Sequence, residues 1–153
     1  KLDTERTTLC TFMGSIESHP IREEMFDMFK NTDGFEMWKS TTTTMYEYTL
    51  STAIFSLCPR GRGPGSYRFF ESLYMGCIPV YVSDVFLTPF QENIDWNRLC
   101  IMVNLEDIQN IPNILRSKTA DDIKAYQDYG REIYDKYFQF DKMCENIINT
   151  VNS

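Results

Sequence analysis

Ile54-Phe-Ser-Leu-Cys-Pro-Arg-Gly-Arg-Gly-Pro-Gly-Ser-Tyr-Arg-Phe-Phe-Glu-Ser-Leu-Tyr-Met-Gly-Cys-Ile-Pro-Val-Tyr-Val82 reads as strand, loop, helix and strand in succession. Residues 54–58 are an apolar run stopped by Pro59, whose nitrogen has no hydrogen to donate to a ladder. Residues 60–66 are rich in glycine and arginine and have no apolar period. Residues 67–75 place Phe69, Phe70, Leu73 and Tyr74 at helical spacing, and Gly76 stands where helices end in a left-handed turn. These aromatics are expected in the core. Residues 77–82 are apolar throughout, as a parallel strand covered on both faces requires. Pro79 predicts that this strand is not fully laddered at its N-terminal end.

The same alternation extends outward. Residues 7–13 read as a strand ending at Gly14-Ser15. Pro20 suits the first turn of a helix over 20–30, with Ile21, Met25, Phe26 and Phe29 on one face. Residues 40–44 predict a polar loop, 45–52 a short helix and 100–103 a fourth strand. Three helices follow, over 108–115, 119 to about 137, and 141–151. Strands alternating with helices make an α/β domain. We expect a Rossmann-like, doubly wound, mainly parallel sheet in a single domain over residues 1–153. In such sheets ligands bind beyond the carboxyl ends of the strands, which singles out the loops after the first and second strands.

Composition narrows the partners. The chain carries a net charge of −7, which argues against nucleic acid as its main partner, because duplex binding leans on clustered Lys and Arg. Its five cysteines never form a C-x-x-C pair, which argues against zinc, and four of them adjoin apolar runs, which suits buried free thiols. No apolar stretch approaches the roughly 20 residues of a membrane-spanning helix.

Against that acidic background, residues 48–70 contain no Asp or Glu, while Arg60, Arg62 and Arg68 fall within them. Arg60 and Arg62 lie in the loop that feeds the helix at Tyr67, and Arg68 is in its first turn. A helix N-terminus offers unpaired N–H groups and about half a positive charge, which suits an anion. Gly61, Gly63 and Gly65 keep side chains out of an anion's way, and Ser66 either caps the helix or donates its hydroxyl. Guanidinium forks match phosphate oxygens. The expected ligand is a diphosphate, and Glu71, one turn on, suits ribose hydroxyls better than phosphate. Taken residue by residue, a plainer reading stands beside this one. The loop is then an exposed turn, Ser66 a plain cap, and Arg68 with Glu71 a solvent ion pair worth about 0.3–0.5 kcal/mol. The P-loop pattern fails for want of a lysine, and the dinucleotide fingerprint fails at Ser66. That failure counts against a nicotinamide-dependent dehydrogenase. There is no D-x-D pair, so no metal site is expected and guanidiniums must neutralise the ligand.

Several blocks recur in a known order: Phe55-Ser-Leu-Cys-Pro-Arg-Gly61, Gly65-Ser-Tyr-Arg-Phe-Phe-Glu-Ser-Leu73, Gly76-Cys-Ile-Pro-Val80, Leu87-Thr-Pro-Phe90 and Ile94-Asp-Trp96. Together they resemble the exostosin-type glycosyltransferases, family GT47, from about Cys10 to Leu115. The opening Thr11-Phe-Met-Gly-Ser15, with Arg22 downstream, also fits. The resemblance implies the C-terminal, donor-binding half of a GT-B fold, with the N-terminal acceptor-binding domain absent from this chain. It implies inverting, metal-independent transfer from a nucleotide sugar, commonly UDP-linked, to a glycan acceptor, with no further cofactor. By the same resemblance Arg60, Gly61, Gly65, Ser66 and Arg68 hold the diphosphate, Glu71 the ribose, and Gly14 and Ser15 face the pyrophosphate from the other side. Arg22 assists or lies on the surface. The catalytic base is unassigned, with His19, the only histidine, as the one candidate within the chain. The alternative is a non-catalytic sugar-nucleotide-binding module working with a partner chain. The resemblance further implies the Golgi lumen for a piece of such a protein, whereas a chain complete in itself would be cytoplasmic.

Overall fold

A computed structural model describes residues 5–39 and 42–151. Five parallel strands form one sheet: β1 (Thr8–Met13), β2 (Phe35–Trp38), β3 (Ala53–Pro59), β4 (Ile78–Val82) and β5 (Ile101–Val103), in the order β2-β1-β3-β4-β5. The helices are α1 (Pro20–Phe29), α2 (Thr43–Thr52), α3 (Tyr67–Met75), α4 (Trp96–Leu99), α5 (Ile111–Arg116), α6 (Ala120–Ile133) and α7 (Phe140–Val151). The α/β doubly wound expectation holds.

Alternation along the strands explains the two layers. Cys10 and Phe12 of β1, Phe55 and Leu57 of β3 and Val80 and Val82 of β4 point to one face, where Ile21, Met25 and Phe29 of α1 and Ile111 and Leu115 of α5 cover them. Cys58 and Tyr81 belong to the other face, with Phe69 and Leu73 of α3, Trp96 and Leu99 of α4 and Ile133 of α6. Each such fully buried apolar side chain contributes about 1.5–3 kcal/mol. Pro79 pairs with Ser56 of β3, but the ladder to β5 begins only at Val80, so the missing N–H falls at the unladdered end.

The differences from expectation have local causes. β2 carries four residues at the sheet edge, only Phe35 of them buried, so its apolar pattern is too short to read. Residues 40–41 of the expected polar loop lie outside the described residues, whereas Thr43 and Thr44 already belong to α2, because the Thr42 hydroxyl accepts from the Met45 N–H at 3.4 Å and caps the helix. The expected helix over 108–115 begins as a 3₁₀ turn, Leu105–Asn110. The long helix expected to about 137 changes to one π turn over Tyr134–Phe138. A capping box between Thr119 and Asp122 starts α6. Phe69 is core as expected, but Tyr74 is 56% exposed and rests on the Tyr134 ring at 5.5 Å.

Arg6 ties the far end of the sheet. Its guanidinium donates to the carbonyls of Leu50 at 2.9 Å, Met75 at 2.6 Å and Ala53, which satisfies carbonyls at the ends of α2 and α3. All five cysteines are free; Cys10, Cys58, Cys77 and Cys100 are buried and Cys144 is exposed. Burial pushes the Cys58 thiol up to about 11, which leaves it unreactive near neutrality.

Candidate anion-binding groove

In the order β2-β1-β3-β4-β5 the connections leave β1 in one direction and β3 in the other, and a crevice opens between the carboxyl ends of those two strands. α1 lies on one face of the sheet and α3 on the other. A groove of about 680 Å³ occupies this point, with Met13 and Gly14 at the end of β1, Gly61 to Gly63 with Gly65 and Ser66 along one rim, and Thr43 and Tyr46 of α2 opposite.

Arg68 forms the floor. It is 8% exposed, its Nη2 donates to the Met13 carbonyl, and its guanidinium carbon lies 5.0 Å from the ring centres of both Phe12 and Tyr46. Its Nε and Nη1 are buried and bond to nothing in the protein. Two donor nitrogens of a buried cation without acceptors are costly, about 1–3 kcal/mol each, unless an anion takes them. Gly14 permits this placement: a Cβ there would stand 2.5 Å from Nη2 of Arg68.

Arg22 holds the crevice together. Its Nε donates to the Arg60 carbonyl at 2.9 Å, Nη1 to Ser15 at 3.1 Å and Nη2 to Pro59 at 3.1 Å, so one guanidinium joins the loops that follow β1 and β3. Burial lowers its pKa, and the charge of Arg68 adds to the effect. Arg22 is thus a half-buried strap that lines the groove, rather than a surface residue.

The expected site residues divide. Gly14, Gly61, Gly65, Ser66, Arg68 and Glu71 line the groove, with Arg62 exposed at its rim. Ser66 is the N-cap of α3 by backbone geometry but makes no side-chain cap bond, so its hydroxyl is not spent on the helix. Among the described residues Arg68 and Glu71 make no ion pair; Glu71 instead accepts from the Tyr46 hydroxyl. Arg60 is not among the lining residues: its guanidinium pairs with Asp84 beyond β4, and that bond lowers the Asp84 pKa. The trio of guanidiniums at the groove is therefore Arg22, Arg62 and Arg68. Ser15 lies beside the groove, its hydroxyl accepting from the Glu17 N–H at 3.2 Å. His19 is the N-cap of α1; its Nδ1 accepts from the Ile21 N–H at 3.2 Å, and it does not line the groove. Reasoning from the sequence missed Tyr46 and Ser18, because nothing local marks them: α2 and the loop before α1 bring them in.

On the other side of Gly65 and Ser66 lies an apolar pocket of about 520 Å³, walled by Phe69, Tyr81, Leu87 and Trp96. Two of its aromatic polar atoms are used internally. The Tyr81 hydroxyl donates to Pro64 at 3.2 Å and accepts from the Leu87 N–H at 3.1 Å, and the Trp96 indole donates to Pro89 at 3.3 Å. Among the described residues no group of three or more His, Cys, Asp and Glu is placed to hold a metal ion, and no helix is long and apolar enough to cross a membrane.

Comparison with known proteins places these residues in context. The model of the Exostosin GT47 domain matches residues 1–118. The Exostosin-1 homolog of Caenorhabditis elegans is 37% identical over 110 residues, covering 72% of this chain and 27% of that protein. A protein of Oryza sativa subsp. japonica named "Probable glucuronosyltransferase" is 34% identical over 114 residues, covering 74% of this chain and 26% of its own length. An Arabidopsis thaliana protein named "Probable beta-1,4-xylosyltransferase IRX10" is 35% identical over 104 residues, 68% of this chain and 25% of that one. The chain thus spans about a quarter of the length of these relatives.

Proposed function

The chain belongs to the exostosin GT47 family, and from that premise we propose that it is the donor-binding domain of a glycosyltransferase and that the groove holds the diphosphate of a nucleotide sugar, UDP-linked. The observation that carries this is Arg68: a buried guanidinium with two donor nitrogens unmatched, at the switch point of a parallel sheet and beside the N-terminus of α3.

In the reaction an acceptor hydroxyl attacks the anomeric carbon from the face opposite the leaving group. Its C–O bond forms as the bond to the diphosphate breaks, the hydroxyl proton passes to a base, and the configuration inverts. Negative charge then grows on the departing nucleoside diphosphate. In this reading Arg68, the Ser66 hydroxyl and the first-turn amides of α3 meet it, and their bonds strengthen as charge develops. Arg62 reaches the same charge from the rim, and Glu71 accepts from the ribose. These groups replace a metal in neutralising the diphosphate. His19, which caps α1 through Nδ1 and does not line the groove, is not the base in this reading.

Calorimetric titration tests the site. UDP and inorganic pyrophosphate are expected to bind, with affinities that fall as salt rises and do not change on adding a chelator; uridine is expected to bind far more weakly. If UDP and pyrophosphate bind no better than uridine, the groove is not a diphosphate site. A transfer assay with and without candidate partner chains separates a donor half from a binding module.

A further inference from the structure

Tyr46 stands outside every sequence block that carries the family resemblance, yet it touches both Arg68 and Glu71 of the groove. It comes from α2 and is half buried against α3. Its ring covers Arg68, with the guanidinium carbon 5.0 Å from the ring centre. Its hydroxyl donates to Oε2 of Glu71. Arg68 and Glu71 are three residues apart on one helix face, where opposite charges ordinarily pair. Here each is engaged by Tyr46 instead, so the guanidinium keeps two unpartnered nitrogens and the carboxylate keeps one free oxygen.

We propose that Tyr46 is a positioning residue for the donor: its ring aims the Arg68 guanidinium at the diphosphate, and its hydroxyl holds one oxygen of Glu71 so that the other accepts from the ribose. This rests on the diphosphate and ribose reading of the groove given above. Burial raises the phenol's pKa against the opposing charge of Arg68, and the bond to Glu71 adds to the rise, so the hydroxyl remains a donor throughout the physiological range.

The two jobs separate by substitution and by ligand. Tyr46→Phe removes the hydroxyl and keeps the ring; Tyr46→Leu removes both and keeps apolar bulk. The probes are UDP, 2′,3′-dideoxyuridine diphosphate and inorganic pyrophosphate, titrated calorimetrically, with melting temperatures recorded alongside. Tyr46→Phe is expected to weaken UDP about three- to tenfold, the share of one hydrogen bond, and to leave the dideoxy compound and pyrophosphate unchanged. Tyr46→Leu is expected to weaken all three, pyrophosphate by about thirtyfold, the size of a desolvated cation–π contact. A merely structural tyrosine would move all three ligands together in both variants. The proposal is overturned if Tyr46→Phe binds UDP like the parent, or loses UDP and the dideoxy compound equally. If the parent binds none of the three, the groove reading falls first and the positioning role falls with it. Should Tyr46→Leu fail to fold, the phenylalanine variant decides alone.

Discussion

Replacing Arg68 by methionine separates a binding guanidinium from a structural one, because the two roles predict different losses. In the free protein Arg68 is 8% exposed, keeps one bond to Met13 and leaves Nε and Nη1 unpartnered. Removing two buried unsatisfied donors returns roughly 2–6 kcal/mol. Against this stand the orphaned Met13 carbonyl, about 1–3 kcal/mol, and the lost contacts with Phe12 and Tyr46, together about 1–3 kcal/mol. Methionine fills most of the space, so the cavity term is small. The opposing terms nearly cancel, and the variant should stay within about 2 kcal/mol of the parent in stability. Binding behaves otherwise. One charge-assisted bond to a phosphate oxygen is worth about 1.5–3 kcal/mol, so its loss should weaken UDP by about 10- to 150-fold. Urea denaturation gives the first quantity and calorimetry the second. A stability loss above about 4 kcal/mol with UDP affinity unchanged would refute the reasoning, and Arg68 would be a brace between β1 and α3.

Three further outcomes follow from particular contacts. Gly14→Ala puts a Cβ 2.5 Å from Nη2 of Arg68, so the guanidinium must move; stability should fall by about 1–3 kcal/mol and UDP affinity with it, and an unchanged Kd would show that binding does not need that placement. Gly76→Ala should cost about 1–2 kcal/mol in a urea titration, because Gly76 caps α3 at φ 73° with Arg6 Nη2 3.2 Å from the new Cβ; UDP affinity should not change, since Gly76 ends α3 away from its N-terminal groove. The Arg60 bond holds the Asp84 carboxyl below its ordinary value, so its contribution is complete above about pH 4 and is lost as pH falls through the folded value. The parent should therefore lose more stability than Asp84→Asn between about pH 6 and pH 3, and parallel urea midpoints across that range would show that the pair contributes nothing.

The amino-acid sequence by itself determined the α/β class, four of the five strands among the described residues and the glycine-rich loop that rims the candidate groove. Those signals are local. Strand, loop and helix over 54–82 depend on neighbours within a few residues of each other, and so do the glycines and the sign of charge that mark the loop. β2 escaped because four edge residues with one buried side chain carry too little pattern. The destinations of long side chains were decided only by tertiary structure. Arg60 reaches Asp84 rather than the groove, and Arg22 spans 38 residues to bind the Arg60 carbonyl. Tyr46 crosses 25 residues to meet Glu71. An arginine or tyrosine can swing through many rotamers, and what selects one is the set of carbonyls, rings and carboxylates that distant segments bring within reach when the helices pack on the sheet.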